Sequence, residues 1–181
     1  MKNKTIWTFL FRFFGTYALL FLGYFLFLSA TEKKETQFVC DPLTRDVANE
    51  SSRLLRWFGE EVVTEQHPDE LCVKMVVNDV YVLGIIEGCN SVSIIILFVA
   101  FIIAFKGSLK RTLLFSVFGV FSIYFVNILR VSILTYGVTH FPNYSDTLHH
   151  LVFPAIIYGY IFMLWIIWVN YFSDLKKRND A

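Results

Sequence analysis

The chain has 181 residues, of which 56% are hydrophobic and 18% aromatic, and its formal net charge is only +1. A soluble domain of this size rarely has such an apolar composition, and the apolar residues are gathered into blocks, so we expect a single membrane domain over residues 1–181. The small net charge gives no indication of a nucleic-acid partner.

The first apolar block runs from Ile6 to Leu28. At 1.5 Å per residue, a helix over this block would be roughly 34 Å long, enough to cross a hydrocarbon core of about 30 Å. A cleaved signal peptide is the alternative, but its apolar core would have only about 7–15 residues. The sequence Leu28-Ser29-Ala30 is also a poor cleavage site. We therefore predict a retained transmembrane helix in which Arg12 extends to the membrane surface.

Residues 29–88 form the only sizeable polar segment, and we expect it to be extracytoplasmic. Hydrophobic residues recur within it at helical spacing, at Val47, Leu54, Leu55, Phe58 and Val62. Charged residues on the opposite face complete the pattern of an amphipathic helix, which would lie on the bilayer or on neighbouring membrane helices. Farther on, two β-rich runs surround Asn78-Asp79 and predict a short β-hairpin. His67, which precedes a proline in a charged loop, is expected to be solvated.

Five residues, Glu87-Gly88-Cys89-Asn90-Ser91, interrupt the apolar sequence between Val80 and Phe105. We predict a transmembrane helix over about 89–105, which places Cys89 in its first turn near the membrane surface. Unpaired backbone N–H groups at a helix start favour a thiolate there, as a nucleophile requires. An inert, packed cysteine is the alternative interpretation of this segment by itself.

Two further apolar blocks, at about 112–136 and 151–172, bring the predicted transmembrane helices to about four. Four spans place both chain termini on one side, and the basic clusters near both termini and in the loop 106–111 then share that side, as the positive-inside rule requires. The predicted fold class is therefore an all-α polytopic membrane protein. It carries an extracytoplasmic amphipathic helix and a short β-hairpin in residues 29–88.

On this topology, Cys89, Arg130 and the pair His149-His150 all lie in the outer leaflet. Arg130 is about 27 Å from the inner end of its helix, and Asn127, three residues earlier, lies on the same helical face. An arginine in a membrane helix costs about 2.5–3.5 kcal/mol and usually faces a partner or a wet cavity, although extension to the surface is the alternative. The coincidence of thiol, guanidinium and imidazole at one depth indicates a functional site.

Three motifs in this order resemble the exosortase/archaeosortase family, most closely the short exosortase F type, over roughly residues 80–172. They are Glu-Gly-Cys-Asn-Ser at 87–91, Asn-Ile-Leu-Arg-Val at 127–131 and Leu-His-His at 148–150. The family often has glycine where Ser91 stands, and commonly an acidic residue where His150 follows His149. The second departure leaves the choice between the two histidines open, and position favours His149.

The resemblance implies a multi-pass protein of the bacterial cytoplasmic (inner) membrane, with an outward-facing active site. It would be a cysteine transpeptidase or protease whose partners are membrane-anchored substrate proteins with C-terminal sorting tails, reached through the lipid bilayer. By this resemblance, Cys89 would be the nucleophile and His149 the general acid and base. Arg130 would stabilise the thiolate or the oxyanion. Supporting or alternative residues are His150, Asn127, Glu87 and Asn90. No cofactor and no metal are expected.

Two other classes of function stay open. In a non-catalytic membrane assembly factor, Arg130 and Asn127 would only hold helices together through hydrogen bonds. A metal site could instead use Cys89 with His149 and His150, although the chain lacks the closely spaced Cys/His signature of known zinc modules. A disulfide between Cys40 and Cys72 would leave Cys89 as the lone thiol, and the sequence leaves that pairing undecided.

Overall fold

A computed structural model of the protein describes residues 2–32, 38–105, 107–144, 147 and 151–173. The helices are α1 (Lys2–Thr31), α2 (Pro42–Trp57), α3 (Val92–Ala104), α4 (Leu109–His140) and α5 (Phe153–Ile167), which a π-helical turn (Trp168–Phe172) extends. The strands are β1 (Val62–Gln66), β2 (Cys72–Val77) and β3 (Val80–Ile86), and they form an antiparallel sheet in the order β1-β2-β3. The fold is that of a mostly α-helical polytopic membrane protein, as predicted.

Among the residues that the structure describes, three helical segments are long and apolar enough to cross a membrane, namely Ile6–Thr31, Leu109–His140 and Pro154–Phe172. They coincide with the predicted spans 6–28, 112–136 and 151–172. The fourth predicted span, 89–105, corresponds to α3, which begins only at Val92 and has 13 residues. At 1.5 Å per residue α3 is about 20 Å long, shorter than a typical hydrocarbon core.

The described chain divides into two compact units. The first comprises residues 1–26, 92–123 and 158–181, and aromatic side chains from different helices pack within it. The Phe9 and Phe105 rings have centroids 4.7 Å apart, and the Phe101 ring stacks on Trp165 at 4.3 Å. The first unit is therefore a helical assembly in which aromatic rings pack between helices alongside buried aliphatic residues.

The second unit comprises residues 27–91 and 124–157 and contains α2 and the sheet. Helix α2 begins at Asp41, whose side chain accepts a hydrogen bond from the Thr44 amide at 2.9 Å. It ends at Trp57, and two residues later Gly59 has a left-handed φ of 94°, which allows the Gly59 and Glu60 amides to turn back to carbonyls of the last turn.

This helix end corrects the predicted amphipathic helix. The helical pattern extended to Val62, but Val62 is instead the first residue of β1, because Gly59 stops the helix before it. Phe58, assigned to the apolar face, is 74% exposed. The residues that do form the buried face of α2 include Val47, Ala48 and Leu55, which pack with the sheet in one hydrophobic core.

The predicted hairpin is confirmed. Asn78 and Asp79 both have left-handed φ values, 50° and 63°, as a type I′ turn requires, and Val77 pairs with Val80 across the turn. The third strand, β1, was not predicted; it pairs with the other side of β2 and packs against α2. The second unit is thus an α-helix on a three-stranded sheet, joined by the end of α4.

Candidate functional site

The motif Glu87–Ser91 forms the connection between β3 and α3. Residues Glu87–Cys89 make one 3₁₀ turn, closed by the Asn90 amide, which donates to the Glu87 carbonyl at 3.1 Å. Ser91 follows with a left-handed φ of 63°, and its hydroxyl donates to the Asn90 carbonyl at 2.6 Å. Since an α-helix cannot continue through this conformation, Cys89 lies before α3 and not in its first turn as predicted.

Two buried amides hold this turn in place. Asn90 is 2% exposed and donates from Nδ2 to the Thr44 hydroxyl of α2 at 3.2 Å. Asn127, on α4, donates from Nδ2 to the Cys89 carbonyl at 2.7 Å. The backbone at Cys89 and at the residue that follows it is therefore held by α2 and α4.

The Asn127 side chain also contacts the intramembrane arginine. Its Oδ1 accepts a hydrogen bond from Arg130 Nη1 at 3.3 Å, which confirms that the two residues share a helical face. Asn127 itself is fully buried. Within the described residues, the buried Nε of Arg130 has no hydrogen-bond partner. The Asn127 side chain thus links the Cys89 turn to the Arg130 guanidinium, whose Nε donor is unpaired among the described residues.

The cysteines differ in their surroundings. All three thiols are free, so the structure contains no Cys40–Cys72 bridge. Cys40 and Cys72 are each 2% exposed, whereas Cys89 is half-buried. Glu87 lies in the same turn as Cys89. His149 and His150 fall outside the described residues, as do Lys106 and the basic cluster at 176–178.

A second group of chemically active side chains lies in the loop between β1 and β2. Ligand atoms of His67, Glu70 and Cys72 are all within 4.8 Å of one another. Burial, and then the neighbouring Glu70 carboxylate, raise the pKa of the Cys72 thiol to about 11. Sequence reasoning missed this group because it treated His67 as an isolated solvated residue; the signal was a His, a Glu and a Cys within six residues at a strand connection.

A family model of transmembrane exosortases matches residues 5–169 of the chain. The match includes the positions of all three sequence motifs and most of the described helices. No curated protein and no solved structure matches the chain significantly.

Proposed function

The chain belongs to the transmembrane exosortase family, and from this premise we propose that it is a cysteine transpeptidase or protease acting on C-terminal sorting tails. Its nucleophile is the Cys89 thiol. The observation that carries the proposal is the Asn127 amide, which joins the Cys89 carbonyl to the Arg130 guanidinium.

Cys89 has the features that a nucleophile needs. It packs against the hydrophobic core but is only half-buried, whereas Cys40 and Cys72 are both buried. Asn127 holds the Cys89 carbonyl and Asn90 anchors the next residue to α2, which limits the motion of the backbone that carries the thiol. A reacting group that is fixed before the substrate arrives loses less entropy in the transition state.

Arg130 is suited to stabilise negative charge at this position. Its Nη1 donates to Asn127, and its buried Nε has no partner among the described residues. A buried donor left without a partner costs about 1–3 kcal/mol, so an anionic oxygen that accepted from it would be bound favourably. The oxygen of a tetrahedral intermediate at a substrate carbonyl is such an acceptor.

The reaction then follows from the residue types. The proton of the Cys89 thiol passes to His149, the thiolate sulfur bonds to the substrate carbonyl carbon, the peptide C–N bond breaks, and His149 gives the proton to the departing amine. The tail leaves, and the substrate remains as a thioester on Cys89. His149 next takes a proton from water or from another nucleophile, which attacks the thioester carbonyl carbon. The C–S bond then breaks, and His149 returns the proton to sulfur, which restores the thiol. We place this site at the outer face of a bacterial inner membrane.

The test is processing in cells that carry the protein or a Cys89→Ala variant. Mass spectrometry of membrane-protein C termini would identify proteins whose sorting tail is removed, and hydroxylamine would release any acyl group from the Cys89 peptide. We expect tail removal and a hydroxylamine-sensitive adduct with the unmodified protein and with the matched control Cys40→Ser. Persistence of tail removal in Cys89→Ala would contradict the mechanism.

The same experiment separates the enzyme from an assembly factor, which the buried Asn127 bridge also fits. An assembly factor would tolerate Cys89→Ala and would misassemble with Arg130→Leu. An enzyme would lose processing in both, and Arg130→Leu would reduce activity even in the correctly assembled fraction.

A further inference from the structure

We propose that the loop between β1 and β2 is a binding site for a divalent transition metal, with zinc as the best match, built from His67, Glu70 and Cys72. The ligand atoms of the three side chains lie within 4.8 Å of one another. None of these residues belongs to the Cys89 turn or to α4, so this site is separate from the proposed catalytic centre.

The ligand types are those that zinc prefers. Zinc binds cysteine sulfur, histidine nitrogen and carboxylate oxygen, and with three protein ligands it keeps a fourth position for water. With metal–ligand bonds of about 2.0–2.3 Å, tetrahedral ligand atoms are about 3.5 Å apart, so the present cluster needs to contract by about 1 Å. Glu70 is exposed and can make that adjustment by rotation of its side chain.

The backbone of the loop is already fixed. The His67 amide donates to the Cys72 carbonyl at 3.0 Å, and the Cys72 amide donates to the Glu70 carbonyl at 2.9 Å. The Gln66 side chain adds a support, because Nε2 donates to the Cys72 carbonyl at 3.1 Å while Oε1 accepts from the Cys40 amide at 3.0 Å. Little conformational entropy is then lost when a metal binds.

The electrostatics of the cluster favour a cation. The Cys72 thiol donates a hydrogen bond to Glu70 Oε2 at 3.8 Å, a geometry that prefers a positive charge between the sulfur and the carboxylate oxygen, supplied in the metal-free loop by the thiol proton. A divalent ion can take the place of that proton because it attracts both negative groups. On binding, the S–H bond breaks, a sulfur–metal bond forms, and the proton passes to water.

Two neighbours shape the site. A Cβ at Gly84 would lie 3.0 Å from both Cys72 Sγ and the Tyr81 hydroxyl, so glycine there leaves room for the two groups to face each other. The Asp69 amide donates to Nδ1 of His67 at 3.1 Å, which puts the proton of the neutral ring on Nε2.

The test uses the full-length protein in detergent, stripped with a chelator and titrated with Co²⁺ and then Zn²⁺. In a Cys89→Ala background we expect one equivalent of cobalt with a thiolate-to-cobalt charge-transfer absorption, which zinc abolishes. We expect Cys72→Ser to remove the absorption. His67→Ala and Glu70→Gln, both in a surface loop, should weaken binding at least about tenfold.

Glu65→Gln is the matched control, since Glu65 is an exposed carboxylate on the neighbouring strand. It should bind cobalt as the background protein does. Circular dichroism and size exclusion establish that each variant is folded. The proposal is overturned if no absorption appears, if it survives Cys72→Ser, if His67→Ala and Glu70→Gln bind normally, or if it requires Cys89.

Discussion

Asn127 is the residue on which the candidate site depends. It is fully buried in α4, and its two amide atoms serve two different partners, the Cys89 carbonyl and the Arg130 guanidinium. A buried side-chain amide whose oxygen and nitrogen are both hydrogen-bonded stabilises a single arrangement. An amide with one of these atoms unpaired lowers the stability of the folded protein. The position of the thiol relative to the arginine is therefore set by this one side chain.

Replacing Asn127 with leucine should destabilise the protein by about 1–3 kcal/mol, because it leaves the Cys89 carbonyl and an arginine donor buried without a partner. Asn127→Asp should keep the arginine contact but lose the donor to Cys89. Denaturant unfolding in detergent would measure both effects. The exposed Asn143→Ala is the control and should change stability by less than about 0.5 kcal/mol; equal stability of Asn127→Leu would contradict the assigned role.

Ser91 holds a conformation that favours glycine, and the family resemblance points to glycine at this position. Its φ of 63° costs an L-residue roughly 1–2 kcal/mol, partly offset here by the bond from its hydroxyl to the Asn90 carbonyl. We expect Ser91→Gly to leave stability unchanged or raise it by up to about 1 kcal/mol. Ser93→Gly, inside α3, should instead lower it by a similar amount, and thermal unfolding compares the two.

The Cys72 thiol should be unreactive at neutral pH in metal-free protein. Burial and Glu70 raise its pKa to about 11, with Cys40 acting in the same direction and Lys74 against it. The folded protein holds this proton more tightly than the unfolded chain, whose thiol has a pKa near 9.0. The resulting contribution to the free energy of unfolding is therefore complete below pH 9.0 and is lost as the pH rises to about 11.

Alkylation with a chelator present, followed by mass spectrometry of the Cys72 peptide, checks this expectation. The rate at pH 8 should be far below that of the denatured protein and should rise steeply between pH 9.0 and about 11. Equal rates in folded and denatured protein would show that the thiol is not protected.

At the scale of elements, most helices and the hairpin were predictable from sequence, and the errors have local causes. Long apolar runs and the Asn78-Asp79 turn carry strong signals. Val62 fits both a helical and a strand pattern, so periodicity alone could not show that Gly59 ends α2 before it. The start of α3 was placed too early because hydrophobicity does not report the left-handed Ser91.

Within the first unit, α3 and α4 approach closely at Gly119. A Cβ there would overlap the ring of Phe98, which is fully buried. We expect Gly119→Ala to cost about 1–3 kcal/mol of stability through overpacking, and a Phe98→Leu substitution to recover part of it. Gly15→Ala is the control, as nothing lies within 4 Å of a Cβ at Gly15; thermal unfolding in detergent that did not distinguish the two would contradict the packing.

At the scale of the whole molecule, the sequence predicted that Cys89, Arg130 and the pair His149-His150 lie at one depth of the membrane. It identified the shared face of Asn127 and Arg130 through their three-residue spacing. It could not show that Asn127 bonds the Cys89 carbonyl, because such a contact between segments distant in sequence depends on tertiary packing. For the same reason it did not associate His67 with Cys72.

The proposed orientation is testable with single cysteines in a cysteine-free background. Asp79→Cys, at the exposed hairpin tip, should react with a membrane-impermeant maleimide in intact cells. Lys110→Cys, in the first turn of α4, should react only after the cells are permeabilised, as the positive-inside rule requires. The opposite pattern would place the candidate site on the cytoplasmic side.

Strand β3 leads directly into the Cys89 turn, so a change in the number of residues between the strand and Cys89 would displace the thiol. Only Glu87 and Gly88 separate Ile86, the last residue of the strand, from Cys89. Deleting one residue of β3 would exchange the two faces of the strand and draw the thiol about 3.3 Å toward the sheet, away from the Asn127 amide. Insertions and deletions among natural variants should therefore avoid residues 80–89 and accumulate elsewhere in the segment outside the membrane.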